Sequence, residues 1–319
     1  MRVPLYVLTD AKYGGWISYT AHLAAGLEQA GHEPIIVRIG KRSNMNPRPF
    51  AFGYSAITLN APGMIEFARL YKGVITCLAY SKHETLAEQL LTLLPVVIHD
   101  PTEYSNRNTG IMRYLHQQPV ITIRASVCGA LNELSVPAQY IPHPYAPAFM
   151  GDTIRAGAIS HSRLDWDKHT EIIIAANAKL TTPIDIYGAL NRIYEYHELR
   201  KVDPDWKRFY KGAFTVPPVG LLHGYNWSVD MSAIAGDGGG TQYTFFEAWD
   251  AGCGLVLNER WFDMPGELEP GIHCVTANDA DSLADAVKQP VPKAMLDAGR
   301  AMIADHDAAT IARQLLATL

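Results

Sequence analysis

The stretch Val229-Asp230-Met231-Ser232-Ala233-Ile234-Ala235-Gly236-Asp237-Gly238-Gly239-Gly240-Thr241-Gln242-Tyr243-Thr244-Phe245-Phe246-Glu247-Ala248-Trp249-Asp250-Ala251-Gly252-Cys253-Gly254-Leu255-Val256-Leu257 decides how the chain is read. A short apolar run predicts a strand over 229–235, a glycine-rich turn follows, a short helix opens near 242–246, and 254–257 predicts a second strand. This order is a βαβ-like unit. The glycines at 236, 238, 239 and 240 let the backbone come close to a ligand, and the first helical turn leaves N–H groups pointing outward, which suits an anion such as a diphosphate. Glu247 sits about one turn inside that helix, where a carboxylate is a poor partner for phosphate and a good acceptor from sugar hydroxyls.

Working outward, 3–9 predicts a buried strand, Asp10 to Gly15 a turn, 16–30 a helix stopped by Gly31, and 33–39 the next strand. Such an opening belongs to a doubly wound α/β sheet, with Gly14 and Gly15 at the carboxyl end of the first strand, where open sheets bind ligands. The pattern G-x-G-x-x-G is missing, which counts against a nicotinamide or flavin enzyme. A polar, proline-bearing loop carrying Lys41, Arg42 and Arg48 is expected over 41–52, strands over 57–59 and 74–78, and a helix over 63–71. A strand over 96–100 delivers His99 and Asp100 into a loop holding Glu103 and Arg107. After a strand over 120–124 and a helix over 126–134, Pro142, Pro144 and Pro147 make a stiff stretch that marks a domain boundary.

The second half opens with a strand over 155–161, and Arg163 and Lys168 follow in a strand-to-helix turn before a helix over 170–180. Five positions apart across that turn, the two cations can point the same way. The plainer reading is that Asp165 and Asp167 pair with them at the surface. A strand over 184–188, a helix over 192–201, a strand and loop over 219–225, a helix over 281–287 and a helical tail over 300–319 complete the pattern.

At 319 residues, 48% hydrophobic and 18% charged, the chain has the composition of an ordinary globular protein long enough for two domains. It carries no run of about 20 apolar residues and no leader pattern at its start, so a cytoplasmic protein is expected, in the host cytoplasm if the gene belongs to a bacteriophage. The net charge of −5 speaks against unspecific capture of nucleic acid, and the four cysteines lack metal-ligand spacing and read as buried thiols. No metal or cofactor is assigned, so metal-independent action is the expectation.

The organising stretch resembles the signature of the retaining GT-B glycosyltransferases of family 4 (glycosyl transferases group 1). In these enzymes a glutamate, a glycine-containing loop and a second glutamate eight residues on grip a nucleotide-sugar. Glu247 matches the second glutamate; the first is replaced by Gly239, with Asp237 nearby. Arg163 and Lys168 resemble the family's Arg-Leu, three residues, Lys motif. The resemblance implies an α/β protein of two Rossmann-like doubly wound domains facing across a cleft. Residues 1–145 would form the acceptor side and 146–305 the nucleotide-sugar side, with a helix over 306–319 packing across the junction.

It also implies roles. Arg163 and Lys168 would bracket the diphosphate, the backbone of Thr241, Gln242, Tyr243 and Thr244 would meet phosphate, and Glu247 would hold the ribose. Gly14, Gly15, Asp237, Gly239 and Gly240 would border the donor, Tyr225 the base, and His99 the reacting sugar through a hydroxyl or the developing charge. Asp100, Glu103 and Arg107 would face the acceptor. The reaction implied is transfer of a hexosyl or pentosyl group, with retention, from a nucleotide-diphosphate sugar, UDP-linked by family habit, to an acceptor hydroxyl. Three alternatives stay open: an epimerase or sugar phosphorylase of the same fold, a non-catalytic sugar-nucleotide binding protein, and, for the acceptor, a hydroxymethylated pyrimidine in phage DNA. The last would use Lys41, Arg42, Arg48, Arg107, Arg113 and Arg124.

Overall fold

The computed structural model describes residues 1–11, 14–148, 155–213, 219–233 and 238–319, with the side chains of Asn106 and Arg107 left aside. The chain forms two compact units, one from Met1–Ala146 with His306–Leu319, the other from Pro147–Asp305.

Unit 1 is built on an eight-stranded sheet in the order β3-β4-β2-β1-β5-β6-β7-β8. Its elements are β1 (Arg2–Val7), α1 (Gly15–Gln29), β2 (Glu33–Ile39), β3 (Asn44–Pro49), β4 (Ser55–Leu59), α2 (Ala61–Leu70), β5 (Val74–Cys77), α3 (Glu84–Leu91), β6 (Val96–Ile98), β7 (Val120–Thr122), α4 (Ala125–Glu133) and β8 (Ala138–Tyr140). All neighbours pair in parallel except β3, which runs antiparallel to β4. The strands β1, β5, β6 and β7 are buried almost throughout, as the unbroken apolar runs require of a sheet covered by helices. A loop was expected over 41–52, but Asn44–Pro49 forms the edge strand, where Pro47 and Pro49 withhold N–H groups from further pairing.

Unit 2 carries a six-stranded sheet in the order β11-β10-β9-β12-β13-β14. In chain order it holds β9 (Ala158–His161), α5 (Thr170–Asn177), β10 (Asp185–Tyr187), α6 (Arg192–Tyr194) and α7 (Arg200–Val202) joined by a π turn, β11 (Tyr210–Gly212), α8 (Val219–Leu222), β12 (Trp227–Asp230), α9 (Tyr243–Asp250), β13 (Gly254–Asn258), β14 (Val275–Ala277), α10 (Ala280–Lys288) and α11 (Lys293–Asp305). Its core joins Ile173, Ile174, Ile186, Trp206, Trp227, Val229, Val256 and Leu283.

The helical tail is broken in two. After α11 the chain passes His306, and Asp307 caps a new helix, α12 (Ala308–Thr318), by accepting from the Thr310 N–H at 2.8 Å. Tyr145 N–H donates to the His306 carbonyl at 2.8 Å and Ala308 N–H to the Tyr145 carbonyl at 3.0 Å, a strand-like clasp that ties α12 into unit 1. Gly26 of α1 makes the docking possible: a Cβ there would lie 2.1 Å from the Ala308 carbonyl oxygen. Three of the four cysteines are buried, Cys128 is half-buried, and all are free thiols.

Candidate functional site in unit 2

In an open parallel sheet, ligands bind outside the carboxyl ends of the strands where the strand order reverses direction. In unit 2 the chain builds outward from β9 through β10 to β11, then returns to the other side of β9 with β12, so the reversal lies between β9 and β12. The residues just beyond those two carboxyl ends decide what the crevice can hold.

Beyond β9, the loop bends through a 3-10 turn, Trp166–Lys168, capped by Asp165, which accepts from the Trp166 N–H at 2.9 Å. The turn drives Lys168 inward: only 9% of the residue is exposed, and Nζ donates to Ser232 Oγ at 2.6 Å. Beyond β12, Ser232 donates its hydroxyl and, at 3.0 Å, its N–H to Asp230 Oδ1, and Thr244 Oγ1 of α9 donates to Asp230 Oδ2 at 3.1 Å. Burial alone would raise the Asp230 carboxyl; the Lys168 charge and the bonds from Ser232 and Thr244 outweigh it and hold the group below its ordinary value. A buried lysine therefore stands at the reversal point, beside the start of α9.

Arg163 is differently placed. Its guanidinium is 58% exposed and pairs with Asp167 Oδ2 at 2.7 Å. An exposed pair of this kind is worth about 0–1 kcal/mol, so an incoming anion exchanges partners with little loss. Asp165 also accepts from Asn191 Nδ2 at 3.0 Å, so both aspartates of this turn are engaged within the protein. Among the described residues no three His, Cys, Asp or Glu side chains cluster as a metal site.

The glycine turn works otherwise than expected. Asp237 lies outside the described residues. Gly238 and Gly239 have φ of +153° and +66°, and a Cβ on either would fall 2.3 Å from a carbonyl oxygen, of Trp261 and Met264 respectively. Gly239 N–H donates to the Trp261 carbonyl at 2.6 Å, and Gly240 N–H to Gly238 at 2.7 Å. Thr241 donates its hydroxyl to Glu267 Oε1 at 2.8 Å, and its N–H reaches the same oxygen at 3.3 Å. These glycines thus serve backbone-to-backbone packing against the segment that follows β13, and in this structure the amides of Gly239, Gly240 and Thr241 already have acceptors. Gln242 is the N-cap residue of α9 and Tyr243 and Thr244 fill its first turn, at the same end of the sheet as Lys168.

Glu247 is only 4% exposed, with Oε2 3.4 Å from His161 Nε2. Tyr225 requires a correction. It precedes β12, its hydroxyl donates to Asp185 Oδ2 at 2.8 Å, and Asp185 is the first residue of β10. Tyr225 therefore lies at the amino ends of the strands, the opposite end from Lys168, Asp230 and Glu247, and the expected strand over 219–225 opens with the helix α8. It cannot line a ligand held at the carboxyl ends.

The remaining sequence candidates belong to unit 1. Gly14, with φ +124°, caps α1 and accepts from the Ile17 N–H at 3.0 Å, and Gly15 is the first residue of that helix. His99 follows β6 and is buried; its Nε2 lies 2.8 Å from the Thr76 carbonyl. A carbonyl only accepts, so Nε2 carries the hydrogen and Nδ1 is left as an acceptor. Burial lowers its pKa to about 4, so at neutral pH the ring accepts a hydrogen bond and offers no positive charge to a reaction. Asp100 caps the 3-10 turn Pro101–Glu103 by accepting from the Thr102 N–H at 2.8 Å. Glu103 was expected to face an acceptor; it is buried instead, and its Oε2 accepts from the His99 N–H at 2.6 Å. Arg107 lies in the 3-10 helix Asn106–Arg113, its side chain outside the described set.

The cations proposed for DNA split into two groups. Lys41, Arg42 and Arg48 lie by β2 and β3, whereas Arg113 and Arg124 flank β7, several strands away in the sheet order. Four strand spacings between β2 and β7 amount to about 19 Å.

Unit 1 also carries an acid-sensitive set. Burial lowers His22 to about 3 and His99 to about 4, and pushes His143 well below its usual value, aided by the nearby Arg124 charge. Each stays neutral when folded, while the unfolded chain takes protons near 6.5, so their contribution is complete above that pH and is lost as pH falls toward 4. Burial raises the Glu103 carboxyl of the same unit, which acts in the opposite direction. With three imidazoles against one carboxyl, unit 1 is expected to lose stability as pH falls from 6.5 to 5. Urea unfolding at the two pH values measures it; equal or higher stability at pH 5 would refute this balance.

No family model matches the sequence, and no curated protein does. Solved structures do match. HepE from Anabaena, solved with UDP and glucose, is 13% identical, covers 99% of each chain and has a TM-score of 0.71. TarM from S. aureus, solved as a mutant with fondaparinux, α-GlcNAc-glycerol and UDP, is 12% identical over 99% of each chain, with a TM-score of 0.72. The fold is GT-B. An α-glucosyltransferase solved with UDP-glucose and DNA containing an abasic site shares this GT-B architecture, at 11% identity over 99% of this chain and 98% of its own, with a TM-score of 0.70. At such identities the likeness carries the GT-B fold alone; the chemistry has to come from the residues. No helix among the described residues is long and apolar enough to cross a membrane.

Proposed function

We propose that the protein is a glycosyltransferase that takes a sugar from a nucleotide-diphosphate donor, UDP-linked, and moves it to an acceptor hydroxyl with retention of anomeric configuration. The observation that carries this reading is Lys168, a buried cation at the reversal point of the unit 2 sheet, bonded to Ser232 and set beside the first turn of α9. A preset positive charge in a dry crevice stabilises a leaving diphosphate without reorganisation. We assign Lys168 and the amides of Tyr243 and Thr244 to the diphosphate, Arg163 to the same group once released from Asp167, and Glu247 to the ribose. His99 keeps its assignment to the donor sugar on the strength of the resemblance, as a hydrogen-bond acceptor.

The named solved structures of this fold hold UDP or UDP-glucose, which supports a UDP donor. For the acceptor we propose a hydroxymethylated pyrimidine in DNA, a reading supported by the likeness to the DNA-bound α-glucosyltransferase. We also propose that no metal is needed and that the enzyme works in the cytoplasm.

The test is direct. Purified protein is incubated with UDP-sugars and either 5-hydroxymethylcytosine DNA or small sugar acceptors, and UDP release and the mass of the acceptor are followed with and without EDTA. Transfer, an α-anomeric product from an α-linked donor by NMR, and an unchanged rate in EDTA are expected. A free epimer or sugar phosphate formed without acceptor would move the assignment to an epimerase or phosphorylase. Binding of UDP-sugars without turnover on any acceptor would leave a non-catalytic binding protein. Transfer to sugars with none to DNA would remove the DNA acceptor and keep the enzyme.

A further inference from the structure

Beneath the start of α9 lies a pair of groups that the sequence did not single out together. His161 is the last residue of β9 and, like Glu247, is buried. Its Nε2 lies 3.4 Å from Glu247 Oε2, and its Nδ1 lies 3.4 Å from Ser228 Oγ on β12. The imidazole thus stands between a hydroxyl of the central sheet and the carboxylate of the helix. A carboxylate buried so deeply either takes a proton, which turns one oxygen into a donor, or is held ionised by a neighbouring donor. Burial pushes the Glu247 carboxyl up, His161 opposes this, and Asp250 on the same helix adds to the rise.

The other elements around α9 supply little that could substitute. Asp230 at the end of β12 is engaged by Ser232 and Thr244. Neither α8 nor β13 carries an ionisable side chain. On α11, which meets the Trp249 ring at Gly299, Arg300 pairs with Asp297 at 3.1 Å, and Lys293 and Asp305 stand at its two ends.

We infer that His161 is a positioning residue for the donor: through Nε2 it fixes Glu247 as a hydrogen-bond acceptor for the two ribose hydroxyls of the nucleotide. This rests on the reading of unit 2 as the donor site. A carboxylate with both oxygens accepting suits a vicinal diol, and a nucleotide lacking those hydroxyls leaves it without partners.

The experiment compares UDP with 2′,3′-dideoxy-UDP by calorimetric titration from pH 5 to pH 8, for the wild type, His161→Leu and His161→Gln. The wild type is expected to prefer UDP by about tenfold or more, because bonds to a charged group are the strong ones. In His161→Leu the preference should fall below about threefold and the pH at which UDP binding is half lost should rise by about one unit. In His161→Gln, whose amide N–H reaches to a similar distance, the preference should return. A leucine variant with the wild-type preference and the wild-type pH profile overturns the inference, as does a wild type that binds both nucleotides equally. Should the leucine variant not fold, glutamine against the shorter asparagine decides: equal preference in those two overturns it. A wild type that binds neither nucleotide overturns the donor site itself, a result distinct from the others.

Discussion

Replacing Lys168 with methionine is expected to lower kcat/KM for the sugar donor by roughly 10²- to 10³-fold, the range found when one preset electrostatic contact to a transition state is removed. Methionine matches the length of the lysine stem and removes the charge. The fold should persist at neutral pH, because Asp230 keeps the hydrogen bonds from Ser232 and Thr244. Its carboxyl, no longer held down by the Lys168 charge, should titrate higher. Asp230 has a lowered pKa when folded, so its stabilisation is present above the unfolded carboxylate value and is lost as pH falls through the folded one. The variant should therefore lose part of that contribution and tolerate acid less well. Arginine should restore little, since a wide, forked head does not fit the buried position that ends on Ser232 Oγ. Steady-state kinetics with the donor varied, beside thermal melts of each variant, separate chemistry from folding. A methionine variant within threefold of the wild type would remove Lys168 from the mechanism.

Gly188→Ala should produce the largest loss of stability from the smallest change. Gly188 ends β10 at φ +149°, a region that L side chains rarely adopt, and an added Cβ would lie 1.8 Å from the Ser162 carbonyl oxygen and 2.7 Å from its carbon. Both are backbone atoms of the loop that carries Arg163 and Lys168, so relief requires that loop to move. Strain at such a φ costs about 1–3 kcal/mol and overpacking about 1–3 more, so about 3 kcal/mol is expected. For a unit of this size that corresponds to a fall in Tm of roughly 6–12 °C. UDP affinity should fall with it, because the displaced segment is the one that sets Lys168. A variant melting within 2 °C of the wild type, a margin below the roughly 6 °C expected, would show that the loop yields freely.

Much of the fold was legible because buried parallel strands leave a strong mark. The apolar runs that became β1, β5, β6, β9 and β13 lie in the chain as expected, as does the helix that carries Glu247, while the strand expected over 229–235 spans Trp227–Asp230. What failed to show was mostly information that no local window holds. Val219 to Leu222 is a short apolar run, and length and period alone cannot tell a strand from one turn of helix; the structure makes it α8 and leaves Tyr225 at the wrong end of the sheet for a ligand. Asn44–Pro49 reads as a loop because prolines are turn formers, yet an edge strand needs few free N–H groups on its outer side. The break at His306 and Asp307 was visible only as a capping aspartate three residues before Thr310.

The candidate site shows the same division. Lys168 and Glu247 could be singled out from local patterns, but Ser232, 64 positions from Lys168, and His161, at the end of β9 and far in sequence from Glu247 on α9, are found only once the sheet order is known. Asp230 and Ser232 carried no such signal, since both fall inside the strand expected over 229–235, which ends at Asp230. The glycines misled for a physical reason. Close approach of backbone to backbone, as between Gly239 and the Met264 to Gly266 segment, selects glycine as strongly as close approach of backbone to a ligand.

The most direct test of the central claim is the structure of the protein with UDP bound. The diphosphate is expected within about 2.7–3.2 Å of Lys168 Nζ, beyond the carboxyl ends of β9 and β12. UDP lodged beside Tyr225 and Asp185 at the amino ends of those strands, or held by unit 1 with Lys168 still bonded only to Ser232, would contradict it.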